Sequence, residues 1–139
     1  LVFMIKILYV DKELFDESSK LKKKSLDLIA RLIDEGFTLE VLDEEEIYPF
    51  YGLFTFNNPS FIDNYQKKFD NILNKLKNYK FIVSHLGVHS QKYFPAFLSI
   101  IPTLSIAIIS DIPEHYEVKE RIGVFDYESP ELLNFLKQK

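Results

Sequence analysis

Three short apolar runs each end in a residue able to do chemistry. Ile7-Leu8-Tyr9-Val10 leads into Asp11, Phe81-Ile82-Val83-Ser84 into His85, and Ile106-Ala107-Ile108-Ile109 into Ser110. A carboxylate, an imidazole and a hydroxyl can share acid–base or nucleophilic work if the fold brings them together. Runs of this kind read as buried strands, and in an open α/β sheet the working residues collect just beyond the strands' carboxyl ends. His85 carries the most weight, because Gly87 soon follows and marks the start of a loop. Lys12 puts a cation beside Asp11 at the first of these ends.

Each residue also has a plain structural reading. A single imidazole with no identified partner is weak ground for catalysis, so His85 reads first as a hydrogen-bonded histidine at a strand end. Asp11-Lys12 also fits a solvated turn, and Ser110-Asp111 a cap on the segment after Pro113. His85 and His89 share a helical spacing, but Gly87 between them points to a loop, and no metal site is expected. The turn Asp11-Lys12-Glu13-Leu14 holds no glycine for close backbone approach to a phosphate. That argues against dinucleotide, FMN and P-loop binding, and no cofactor is expected.

The elements that must position these residues follow from hydrophobic spacing. After the first strand, Ser18 or Ser19 can cap a helix with an inward stripe of Leu21, Ser25, Leu28, Ile29 and Leu32, and Gly36 ends it. Thr38 to Leu42 alternates like a strand near a sheet edge, closed by the acidic run Asp43 to Glu46. A second helix opens at Ser60, with Asp63 as a weak capping-box partner, and presents Phe61, Ile62, Tyr65, Phe69, Ile72, Leu73 and Leu76. The third strand leads to His85, and a third helix covers about Gln91 to Ile100 until Pro102 stops it. Leu104 to Ile109 reads as a central strand and Ile122 to Phe125 as a fifth, with a short helix from Glu114 to Arg121 between them. Ser129-Pro130 makes an N-cap and first turn for a last helix whose Leu132, Leu133, Phe135 and Leu136 face inward. Strands alternating with helices imply a three-layer α/β fold. Five of them favour a parallel sheet in the flavodoxin-like order 2-1-3-4-5.

Composition narrows the function. A chain of 139 residues, 47% apolar and 15% aromatic, suits one domain with one core, spanning residues 1–139. Leu1-Val2-Phe3 before Met4 either extend the first strand or are foreign to the natural chain. A net charge of −4 gives no basic footprint. The lysines at 20, 22, 23 and 24 fit a solvated helix face better than a nucleic-acid patch. Cysteine is absent, which excludes disulfides and thiolate chemistry. The uncharged stretch Tyr93 to Ser110 is broken by Pro95 and Pro102, so it reads as a helix and a strand rather than a membrane span. With no signal-peptide pattern, a cytoplasmic location is expected.

The chain resembles the receiver domain of two-component response regulators over nearly its whole length. Ile7 to Glu13 resembles the receiver opening, where a strand ends in an acidic pair that holds Mg²⁺. Phe81 to His85 is similar to the third strand with its phosphoacceptor aspartate, Ser110 falls on the hydroxyl after strand four, and Gly123 to Tyr127 with Ser129 to Leu133 resembles the ending. The departures concern the chemistry. His85 stands at the phosphoacceptor, Lys12 at a metal-binding acid, and the lysine expected between Tyr127 and Pro130 is absent. Aspartyl phosphorylation needs a carboxylate nucleophile, a divalent ion and a cation for the product. The resemblance therefore implies a pseudo-receiver with a degenerate pocket of Asp11, Lys12, His85 and Ser110, in which Lys12 repels Mg²⁺ and pairs with Asp11. Such domains act by contact, with a protein partner or as a homodimer, and neither membrane nor nucleic acid is expected to bind here. Two other readings stay open: the first domain of a GT-B-type sugar transferase, and a small enzyme using Asp11, His85 and Ser110.

A minimal receiver leaves one segment unexplained. Glu44 to Ser60 is a long connection carrying Ile47, Tyr48, Phe50, Tyr51, Leu53, Phe54 and Phe56. Either it folds back over the core or it offers an aromatic patch to a partner, with Tyr48, Phe50, Tyr51, Phe54 and Phe56 as the candidate interface.

Overall fold

Five parallel strands form the centre of the molecule. In a computed structural model that describes residues 5–47, 67, 70–86 and 94–138, they are β1 (Lys6–Asp11), β2 (Thr38–Val41), β3 (Phe81–His85), β4 (Ser105–Ile109) and β5 (Ile122–Phe125). Their order is β2-β1-β3-β4-β5, so the fold is α/β with the flavodoxin-like topology. The helices are α1 (Leu21–Asp34), α2 (residues 70–76), α3 (Phe94–Ile100) and α4 (Pro130–Leu136), alternating with the strands. No described helix is long and apolar enough to cross a membrane.

Alternation along the strands divides the core in two. Leu8, Val10, Ile82, Ile106 and Ile108 pack on one face with Leu76 of α2 and Phe97 of α3. Ile7, Tyr9, Phe81, Val83, Ala107 and Ile109 pack on the other with Leu28 and Leu32 of α1 and Leu132 and Leu136 of α4. β1 and β3 are buried along nearly their whole length, as a parallel sheet covered on both faces requires. β2 lies at an edge and is the most open strand, in keeping with its alternating sequence.

The turns follow from particular residues. Ser19 accepts from the Leu21 amide at 3.1 Å and so sets the start of α1. Gly36, at φ +95, ends α1 in a Schellman motif in which the Gly36 and Phe37 amides bond back to Ile33 and Leu32. The Ser129 hydroxyl accepts from the Glu131 amide at 3.2 Å, with Pro130 in the first turn of α4. Arg121 stands in the left-handed region at φ 66, where its guanidinium bonds the carbonyls of Leu98, Ile101 and Leu104. Those bonds close the end of α3 and hold the entry to β5.

Two local expectations are corrected. The segment Glu114 to Arg121 is not a helix: Pro113–His115 forms one 3-10 turn, followed by an irregular stretch with a single bridge between Lys119 and Ile122. It has no apolar stripe to bury, and Val118 is exposed. The acidic run after β2 is not a plain loop, since residues 44–47 form a helical turn. Asp43 accepts from the Glu46 amide at 2.9 Å and Glu46 reaches back to the Asp43 amide at 3.3 Å, a reciprocal cap that drops Ile47 into the core.

Candidate functional site

Strand order makes the carboxyl ends of β1 and β3 neighbours, and the register sets Asp11 opposite His85. Alternation puts both on the face of Tyr9 and Val83, under α1 and α4. This is the switch point of the sheet, where open α/β folds leave room for a ligand. Protein groups occupy it instead. Asp11 has no exposed surface and His85 is almost wholly buried, so the solvated-turn reading of Asp11-Lys12 is corrected for the aspartate.

Asp11 is enclosed by donors from three elements. It caps the 3-10 turn Lys12–Phe15, its Oδ1 accepting from the Glu13 amide at 2.9 Å. Its Oδ2 accepts from the Ser25 hydroxyl of α1 at 2.6 Å and from the Tyr127 hydroxyl at 2.9 Å. Tyr9 lies 2.7 Å from the Ser25 hydroxyl oxygen. Ser25 has one hydroxyl proton and gives it to Asp11, so Tyr9 must donate to Ser25, and the order is Tyr9 to Ser25 to Asp11. Arg31 fixes the third element, its Nη2 donating to the Tyr127 carbonyl at 3.0 Å and tying the turn after β5 to α1.

Burial pushes the Asp11 carboxyl above its ordinary range, against the hydrogen bonds from Ser25, Glu13 and Tyr127 and the nearby His85, which pull it down. Burial, and next the charge of Asp11, raise the hydroxyls of Tyr9 and Tyr127 as well. Both tyrosines therefore stay protonated and serve as donors at any ordinary pH.

His85 is held at both nitrogens. Its Nδ1 lies 2.8 Å from the Ile109 carbonyl, and because a carbonyl only accepts, Nδ1 carries a proton. Nε2 faces Glu13 Oε1 at 3.5 Å, a pair that becomes ionic when the ring is protonated. The Tyr127 ring lies 5.8 Å away, centre to centre. A hydrogen-bonded strand-end histidine is therefore what the structure contains.

The other expected pocket residues do not join this pair. Lys12 is exposed and makes no ion pair with Asp11, contrary to expectation. Ser110 is buried but belongs by alternation to the face of Ile106 and Ile108. Its hydroxyl accepts from the Ile112 amide at 3.0 Å and bonds Tyr116, so it caps the segment before Pro113. Alternation thus puts Ser110 on the other face of the sheet from Asp11 and His85. Tyr48, Phe50, Tyr51, Phe54 and Phe56 lie outside the described residues, as do Gly87, His89 and the expected start of the second helix at Ser60.

The sequence reading missed Tyr9, Ser25, Tyr127 and Glu13 as parts of one network. Ser25 carried a visible signal as the one polar residue in the inward stripe of α1, and Tyr9 shares a strand face with Asp11 two residues on. Tyr127 sits in a turn, where no periodicity indicates direction.

Among the described residues, no group of three or more His, Asp or Glu side chains is placed to hold a metal ion. A divalent cation at Asp11 would have to displace three fixed donors, and His85 offers no oxygen ligand. Comparison of the chain with protein-family models, curated proteins and solved structures finds no match.

Proposed function

We propose that the chain is a pseudo-receiver, a receiver-like domain that does not carry an aspartyl phosphate and acts by contact with a protein. The observation that carries this reading is the closed environment of Asp11. At the place where a receiver would hold its metal ion, the one acid already accepts from Glu13, Ser25 and Tyr127. Opposite it, the phosphoacceptor position is His85, whose ring nitrogens face Ile109 and Glu13. In-line phosphoryl transfer needs an exposed nucleophile and a neutralising cation, and neither has a place in this arrangement. Tyr127 stands near where a receiver's lysine is expected, and its hydroxyl serves the buried acid rather than a product phosphate.

Incubation with acetyl phosphate and Mg²⁺, or with beryllofluoride and Mg²⁺, tests the reading. Intact mass, amide shifts and melting temperature should stay as they are without the reagents. An aspartyl phosphate, or a specific phosphohistidine at His85, would overturn it.

A further inference from the structure

Helix α1 has two apolar stripes, and its core accounts for one. Ser25, Leu28 and Leu32 face the sheet, but Leu26 is 50% exposed and Ile33 56% exposed. Seven residues apart, these two lie on one line of the helix, with Ala30 exposed and Ile29 half-buried between them. Arg31, which ties α1 to Tyr127, points to the opposite flank. The second stripe therefore faces away from α4, toward the β2 edge of the sheet. Val41, exposed on that edge strand, shares the α1 face through its register with Tyr9.

The first-turn lysines and the last residue of α1 run against its own dipole. Lys22, Lys23 and Lys24 occupy the first turn, which holds no acid, and Asp34 closes the last, where Arg31 alone is favourably placed. Helices favour the reverse, so this order weakens an isolated α1. Lys22 is paired with Glu17, and Glu35 with Lys137. Among the described residues, Lys23 and Asp34 have no ion-pair partner, and both border the apolar stripe.

We propose that this flank of α1 binds a second copy of the chain, with the two α1 helices antiparallel about a twofold axis between Ile29 and Ala30. The proposal deepens the reading of the domain as an interaction module by naming its partner. The axis sets Leu26 of each copy against Ile33 of the other and brings each Lys23 beside the other's Asp34. Isologous contacts of this kind are the commonest route to a homodimer. One helix pair covers less area than a standard stable interface, so the dimer is weak and depends on concentration.

Sedimentation of the full chain from micromolar to millimolar concentration, at low ionic strength, should show a reversible monomer–dimer equilibrium. Lys23→Asp alone and Asp34→Lys alone should each weaken it by roughly tenfold, because either change puts two like-charge contacts in the homodimer. An equal mixture of the two variants should restore it, since both contacts in the mixed dimer are again opposite in sign. Leu26→Glu should abolish association, with the fold checked by circular dichroism. Should Leu26→Glu also unfold the chain, the charge mixture still decides. A monomer at every concentration, a dimer that ignores the charge changes, or a mixture that fails to recover would each overturn the proposal. A monomer inert to acetyl phosphate would remove the dimer alone, and a dimer that accepts phosphate would remove the pseudo-receiver reading alone.

Discussion

The two faces of the sheet treat polarity in opposite ways. Under α1 and α4, Tyr9, Asp11, Ser25, His85 and Tyr127 are buried together, and each has a hydrogen-bond partner. Under α2 and α3 the strands supply mostly aliphatic side chains, and Ser84 on that face has a buried hydroxyl with no partner among the described residues. Buried polar groups add rigidity when fully satisfied and cost stability when they are not. Among the described residues, one face thus holds a polar lattice closed around Asp11, with only the Arg31 Nε unpartnered at its margin, and the other a hydrophobic core with the Ser84 hydroxyl unpartnered. Only the first carries the fold's switch point.

The sharpest way to break this contrast is to remove the acid. Asp11→Ala leaves the Ser25 and Tyr127 hydroxyls and the Glu13 amide without their acceptor, and should cost about 4 kcal/mol in denaturant unfolding. Ile82→Ala on the aliphatic face should cost about 3 kcal/mol through its cavity alone. If Asp11→Ala costs under about 1 kcal/mol, the lattice is not structural.

Two of the buried serines, Ser25 and Ser84, give a finer comparison. Ser25→Ala breaks the link between Tyr9 and Asp11 and should cost about 2 kcal/mol. Ser84→Ala removes an unpaired hydroxyl and should be neutral or stabilise by up to about 1 kcal/mol. Equal costs at the two sites would erase the distinction between the faces.

The smallest effect is on pH dependence. Because burial raises the Asp11 carboxyl above its unfolded value, its contribution is fully present below about pH 4 and is lost as pH rises through the folded value. The melting temperature of the wild type relative to Asp11→Asn should therefore fall as pH rises above about 4. A relative rise with pH would mean that the hydrogen bonds outweigh burial.

Much of the frame was legible because period and punctuation agreed. β5 and the Ser129-Pro130 start of α4 were readable to the residue, and the apolar runs gave β1, β3 and β4. The Asp43 cap was missed because the acidic run was read only as the end of the strand, although Asp43 and Glu46 stand three positions apart, as a capping box needs. The pairing of Asp11 with His85 was implicit in strand order, since both end strands that become neighbours. The closure of the site was not legible. It depends on where Tyr127 points after β5, and that direction is set by Arg31, far away in the chain.

The chain from Tyr9 through Ser25 to Asp11 has a spectroscopic consequence. Its hydroxyl protons lie in a region sealed from water, so their exchange with solvent requires the protein to open locally. Hydroxyl protons are ordinarily lost to fast exchange, but these should persist as resolved NMR resonances. Their lifetimes would report how often α1 lifts from the sheet, in the unmodified protein and without any substitution.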